Sequence, residues 1–269
     1  MRLQRKSPQR CLLPSLPAPE MSLLVLRLGA PLMSWSGYRH QLNMGSASPS
    51  EALPRKSAIA GLLGAALGQQ DTGYGCAREL RRLGDMFRLH VRVDSRNPTA
   101  EDFQVVGPLP ILETPFAERW LRIGTASTAR FPSKRAGGNF PTAVSRKDFL
   151  SHSEFIVAIE GLPTFIDGWF HAIRKPQFMP YLGRKSCAPT FPFLFGTSHL
   201  TSTELFTQLP VVIRHPERRG GSVSVGGYEV TGNYDVHAVT DHAAGYTPPS
   251  VFSRECQLAW VKENLDVTP

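Results

Sequence analysis

Long apolar runs are missing from this chain of 269 residues. Its most apolar early stretch, residues 22–32, is broken by Arg27. That leaves neither the about 18 uninterrupted residues that a membrane span requires nor the core of a signal peptide. Cysteine is scarce: Cys11, Cys76, Cys187 and Cys256 stand far apart and form no CxxC pair. Such spacing argues against a disulfide framework or a structural zinc site and for thiols kept reduced in a cytoplasmic protein. Acidic residues are outnumbered, 22 Asp and Glu against 30 Lys and Arg, for a formal net charge of +8. A polyanionic partner suits that balance better than a small neutral substrate.

Common catalytic signatures are missing too. Neither GxSxG nor HExxH occurs, which removes the usual serine-hydrolase and zincin patterns. Gly183-Arg184-Lys185-Ser186 is shaped like the end of a phosphate loop, but the full pattern needs glycine where Phe178 stands. Gly61, Gly64 and Gly68 do not spell GxGxxG. His237 and His242, with Asp235 and Asp241, lack ligand spacing; five apart on a strand, the two imidazoles fall on opposite faces. No metal and no cofactor is expected.

What is present has the pattern of a mixed fold. Residues 1–20 are proline-rich, with four Lys or Arg against one acid, and are expected to be a disordered extension or to precede the true start at Met21. A transit peptide is the competing reading of this leader. Residues 21–269 are expected to form a single domain. Leu23–Leu28, Arg88–Val93 and Phe155–Glu160 read as strands, Ser57–Gln70 and Thr164–Ile173 as helices. Hairpin strands are expected at Val211–His215, Ser222–Val225, Tyr228–Val230, His237–Val239 and Leu258–Val261. Strand, helix, strand, insertion, strand, helix, strands is the order of an RRM-like or ferredoxin-like α+β domain, here with a β-rich C-terminal part over about 205–269. The stretch 98–148 is too long for a plain connection and reads as a functional insertion.

The positive charge concentrates in that insertion. Arg119, Arg122, Arg130, Lys134, Arg135, Arg146 and Lys147 occur with no acid among them, beside Trp120, Phe131 and Phe140. Cations for phosphates interleaved with rings for unstacked bases suit single-stranded RNA; the plainer reading is a solvated charged loop. Pro54-Arg55-Lys56-Ser57 opens a helix, where free N–H groups and two cations would seat a phosphate; the plainer reading makes Ser57 an ordinary N-cap. A metal-free ribonuclease site from Tyr38, His40 and Lys56 stays open, as base, acid and phosphorane-binding cation. Cys187 reads as a packed thiol.

Four segments, residues 24–35 (LVLRLGAPLMSW), 53–68 (LPRKSAIAGLLGAALG), 145–160 (SRKDFLSHSEFIVAIE) and 180–189 (PYLGRKSCAP), resemble the Cas5 family of the RAMP superfamily, in its CasD-type form. The match runs in order through about residues 22–200, with weaker similarity at 253–261. That resemblance implies an RRM-like domain with a β-hairpin thumb inserted at about 107–148. It implies a non-catalytic, RNA-binding subunit of the type I-E CRISPR surveillance complex, Cascade, serving antiviral defence. The expected partners are the 5′ handle of the crRNA, the CasC backbone subunit, the CasA large subunit, other Cascade subunits and, indirectly, target DNA. Candidate RNA contacts are Trp35, Arg55, Lys56, Ser57, Arg119, Arg122, Arg130, Lys134, Arg135, Tyr181, Gly183, Arg184, Lys185 and Ser186. Arg55 replaces a threonine usual in the family, and glycine follows Trp35 one place late, at Gly37. Related type I-C proteins process the repeat RNA themselves, which keeps an endoribonuclease as the alternative. A general RNA-binding module is the third reading, weakened by the missing RNP octamer.

Overall fold

The computed structural model describes residues 21–35, 47–48, 50–69, 74–97, 99–106, 143–213, 223–231, 238–241 and 245–267. In chain order these form β1 (Ser22–Gly29), β2 (Leu32–Met33), β3 (Ala47–Ser48), α1 (Lys56–Ala66), α2 (Tyr74–Asp85), β4 (Arg88–Ser95), β5 (Thr99–Val106) and β6 (Ala143–Ser151). There follow β7 (Glu154–Gly161), α3 (Pro163–Arg174), β8 (Leu194–Ser198), α4 (Ser202–Gln208), β9 (Val211–Val212), β10 (Gly226–Thr231), β11 (Ala238–Asp241), β12 (Ser250–Val251) and α5 (Arg254–Asn264).

Strand β1, SLLVLRLG, is buried at every position, so it carries apolar side chains on both faces and reads as a continuous run. It lies antiparallel between β7 and β8 in a six-stranded sheet of order β11-β10-β4-β7-β1-β8. The two-residue side-chain period of a strand divides the core. Leu24, Leu26 and Leu28 pack with Phe155, Val157 and Ile159 of β7, with Ile59 and Leu63 of α1 and with Trp169 of α3. Leu23 and Val25 belong to a second cluster with Ile156 and Ala158, Leu205 and Phe206 of α4, and Val261 of α5. Both sheet faces are therefore covered, one by the early helices and the other by the C-terminal ones.

A second sheet packs onto the first of these clusters through Met33 of β2 and Phe149 and Leu150 of β6. In it β6 pairs with β2, β3 and β5. The β5–β6 ladder runs in unbroken antiparallel register from Thr99↔Leu150 to Val106↔Ala143. Residues 107–142, which carry Arg119, Arg122, Arg130, Lys134 and Arg135, lie outside the described residues.

Buried charge joins the layers. Arg27 Nη2 lies 3.1 Å from Glu154 Oε2, and Arg27 Nη1 donates to the carbonyls of Thr190 and Pro192. Arg254, at the start of α5, reaches both Glu154 oxygens at 2.6 and 2.7 Å. Arg92 has no exposed surface; it binds Asp94 through Nε and Nη2 at 2.7 and 2.9 Å. Its Nη1 donates to the carbonyls of Phe206 and Leu209, closing the end of α4.

Three sequence expectations are corrected. Leu258–Val261 lies within helix α5, not in a hairpin. Its four residues match a strand in length, but the Ser253 hydroxyl accepts the Cys256 N–H and Glu255 occupies the first turn, both helix-start features. Val211–Val212 does form a strand, yet it pairs parallel with β12 instead of in a hairpin. Of the described residues 223–225, Val225 makes a bridge to Tyr246, and the strand proper begins at Gly226. Helices α2 and α4 are additions; α4 opens on a full Thr201/Glu204 capping box.

Burial pushes the Glu154 carboxyl up, but the hydrogen bonds and charges of Arg27 and Arg254 outweigh it and hold the group below its ordinary value. Glu154→Gln leaves both guanidiniums without their counter-charge and should cost about 3–5 kcal/mol, read by urea unfolding at neutral pH. A carboxyl with a depressed folded-state pKa contributes stability above its unfolded value and loses it as pH falls through the folded one. The gap between wild type and variant should therefore narrow below about pH 4; a gap that stays constant into acid would refute the assignment.

Candidate nucleic-acid interface

Three segments distant in sequence converge beside β2: the turn at Ser34–Trp35, the start of α1 and the loop 180–187. The Ser34 N–H donates to the Leu182 carbonyl, and the Ser34 hydroxyl donates to the Asp148 carbonyl of β6. Within the loop, the Leu182 N–H meets the Cys187 carbonyl and the Cys187 N–H meets the Arg184 carbonyl, each at 2.8 Å. Gly183 has a φ of +87°, and a Cβ there would lie 1.6 Å from the Ser34 carbonyl oxygen. Glycine is thus required on two counts, a left-handed backbone and a backbone in direct contact.

Helix α1 begins at Lys56. Arg55, not Ser57, is its N-cap, in extended conformation and with no side-chain cap. The Arg55 carbonyl accepts the N–H groups of Ala58 and Ile59. With no acid in the first turn, this end is electropositive. Lys56 Nζ sits 5.4 Å from the centroid of the Phe87 ring. Burial lowers its pKa, while Asp85 and Glu229 pull it back up. Ser57 follows within the first turn, half-buried.

The second cation is held the same way. Arg184 lies 4.9 Å from the centroid of Phe149; burial pushes its pKa down against the pull of Cys187, Asp148 and Asp102, and a guanidinium stays charged regardless. Lys185 and Ser186 are exposed at the loop tip. Cys187 is buried, and burial pushes its thiol up, which suits a packed thiol better than a nucleophile. Tyr181 is 37% exposed. Between this loop and α1 lies a cavity of about 220 Å³ lined by Ser57, Ala58, Gly61, Leu62, Ala65, Tyr181 and Gly183.

Not every candidate faces solvent. Trp35 is 1% exposed, so its ring has no open face for a base. The Trp35 backbone N–H donates to Ser50 Oγ and its backbone carbonyl accepts the Glu51 N–H, so the residue pins the loop ahead of α1. Arg55 is buried as well. Tyr38, His40, His237 and His242 lie outside the described residues, as do the arginines and lysine of 119–135. Among the described residues no three His, Cys, Asp or Glu side chains gather to hold a metal. Sequence reasoning passed over Phe178 and Met179, 44% and 77% exposed. Their signal was the aromatic, proline-rich stretch leading into the loop.

A family model described as CRISPR-associated protein (Cas_Cas5) matches residues 23–250. The chain belongs to the Cas5 family. It is 27% identical over 254 residues to the CRISPR system Cascade subunit CasD of Escherichia coli strain K12, spanning 92% of this chain and 99% of CasD. A solved CRISPR RNA-guided surveillance complex contains a chain that superposes with a TM-score of 0.61 at 20% identity, covering 89% of this chain and 99% of the other. A crystal structure of a Cas protein superposes at 0.50 with 21% identity, covering 84% and 97%. At those identities the two structures establish a shared mixed α/β fold built on antiparallel sheets. Within this Cas5 chain, the loop 180–187 is held by backbone hydrogen bonds, so its glycine is the sensitive point. Gly183→Ala should destabilise by more than about 1 kcal/mol, a fall of at least about 2–4 °C in Tm for a chain of this size. An unchanged melting curve would show that the loop does not press on Ser34.

Proposed function

We propose that this chain is a non-catalytic RNA-binding subunit of a type I-E Cascade complex that caps the 5′ handle of crRNA. The relationship to CasD along 99% of that protein's length carries the reading. The convergence of an uncapped helix start with Arg184 and Lys185 supports it. Strands β4-β7-β1-β8 with the helices α1 and α3 serve as the RRM-like core, and the β5–β6 ladder as the base of a thumb over about 107–148. In that thumb Arg119, Arg122, Arg130, Lys134 and Arg135 neutralise phosphates, together with Lys56, Ser57, Arg184, Lys185 and Ser186 at the core. Tyr181 offers a ring face to a base. The thumb meets the CasC backbone subunit, the CasA large subunit docks nearby, and target DNA is engaged only indirectly. Such an assembly works in the cytoplasm, and among the described residues no helix is long and apolar enough to cross a membrane.

End-labelled repeat RNA incubated with the protein in EDTA should stay intact. A single cut would make the chain a metal-independent endoribonuclease, with Tyr38, His40 and Lys56 its first suspects. Lys185→Ala should weaken RNA binding and reduce the slope of log affinity against log salt by about 0.7 for each single-strand phosphate it no longer neutralises. Arg130→Ala with Arg135→Ala should reduce it by about twice that. Tyr181→Ala should cost about 1–3 kcal/mol of binding, measured by fluorescence anisotropy. Unchanged affinity and slope in all three would overturn the phosphate-and-stacking assignment.

A further inference from the structure

We infer that the cleft between α1 and the loop 181–183 receives one unpaired nucleobase of the bound RNA, and that Gly61 sets the room it has. The inference rests on the RNA-binding reading above and goes beyond it by assigning a pocket and a specificity-determining residue. The cavity, about 220 Å³, lies below the about 300–1,000 Å³ of sites for drug-sized ligands; it suits one flat ring system. Tyr181 supplies a partly exposed aromatic wall, and Leu62 a buried apolar floor. Ser57 adds a hydroxyl at the rim, able to donate to or accept from a base edge.

The opposite wall is helix α1, and its openness depends on Gly61. A Cβ at Gly61 would meet no heavy atom within 4 Å. The missing side chain therefore serves no close helix packing; it leaves space on the cleft side. Gly64, one turn on, differs: there a Cβ would fall 2.6 Å from Leu80 Cδ2 and 2.7 Å from Gln69 Oε1. Gly64 is thus closed in by helix α2 and by Gln69, while Gly61 is open. Cations frame the cleft: Lys56 beside Ser57 at the helix start and Arg184–Lys185 beyond Gly183, where the flanking phosphates of a turned-out nucleotide would run. Exposed Phe178, whose N–H bonds the Ala65 carbonyl, continues the apolar surface past the far end of the cleft.

Gly61→Leu would fill the cleft, while Gly61→Ala would add one methyl group facing open space. Both raise helix propensity, so neither should impair folding, and the melting temperature monitors that directly. With the full-length chain and cognate repeat RNA, Gly61→Leu should weaken binding about tenfold or more, the scale of one missing base stack, and Gly61→Ala should bind nearly as wild type. A set of RNAs each carrying one abasic handle position should identify the docked base. At that position alone, wild type and Gly61→Leu should bind equally, with an unchanged salt slope because the phosphates are still neutralised. Gly61→Leu binding like wild type to intact RNA, or losing affinity equally on every abasic RNA, would overturn the inference and leave the RNA-binding reading standing. Wild-type protein that does not bind repeat RNA would sink both. Normal RNA binding by Gly61→Leu combined with failure to assemble with partner subunits would overturn it too and assign the cleft to a protein side chain instead.

Discussion

Strand β1 must be buried on both faces, and that single constraint organises the rest of the molecule. A strand in that position needs helices on one side and further helices on the other. The chain supplies them from opposite ends, α1 and α3 before β8 and α4 and α5 after it. The arrangement also forces Arg27 into the interior, where an unpaired guanidinium would be costly. Glu154, on the strand paired with β1, meets that charge and binds Arg254 of α5 as well. The pairing that forms the sheet therefore also positions the C-terminal layer.

The candidate interface depends on this scaffold at one remove. Its parts are loops, but each is tied to a core element: Ser34 to Leu182 and Asp148, Trp35 to Ser50 and Glu51. The two best-placed cations rest on aromatic rings, Lys56 on Phe87 and Arg184 on Phe149. A cation held against a ring has already given up part of its hydration and rotamer freedom, so less is lost when a phosphate arrives. Among the described residues no ring lies against Lys185 at the exposed loop tip, and it acts as a point charge on a flexible stem.

Much of the core was legible because two of its strands are largely apolar runs and a third alternates polar and apolar residues. Leu23–Leu28, Arg88–Val93 and Phe155–Glu160 fall inside β1, β4 and β7, and the helices at 57–70 and 164–173 overlap α1 and α3. Legibility failed where the local pattern is short or dominated by a misleading neighbour. The run at 258–261 conceals a helix whose start signal lies five residues earlier, at Ser253. The Thr201/Glu204 capping box is inconspicuous because no long apolar period follows it. Trp35 resembles a base-stacking ring because it lies in a region rich in glycine, serine and proline; it is instead a core residue that anchors that loop. The motif around Gly183–Ser186 stands out in sequence, yet nothing in it announces that α1 lies across from it.

By itself the amino-acid sequence determined the excess of positive charge, the absence of familiar catalytic patterns, the central strands and the resemblance to Cas5 proteins. Each of those is a property of composition or of neighbours along the chain. Tertiary structure alone decided which aromatic rings face solvent, that α1 starts after Arg55 without a side-chain cap, and that Gly61 opens on a cleft while Gly64 is packed. It also decided that Arg27 finds its carboxylate 127 residues away. Burial and pairing are relations between residues that only folding brings together, so no local pattern can encode them.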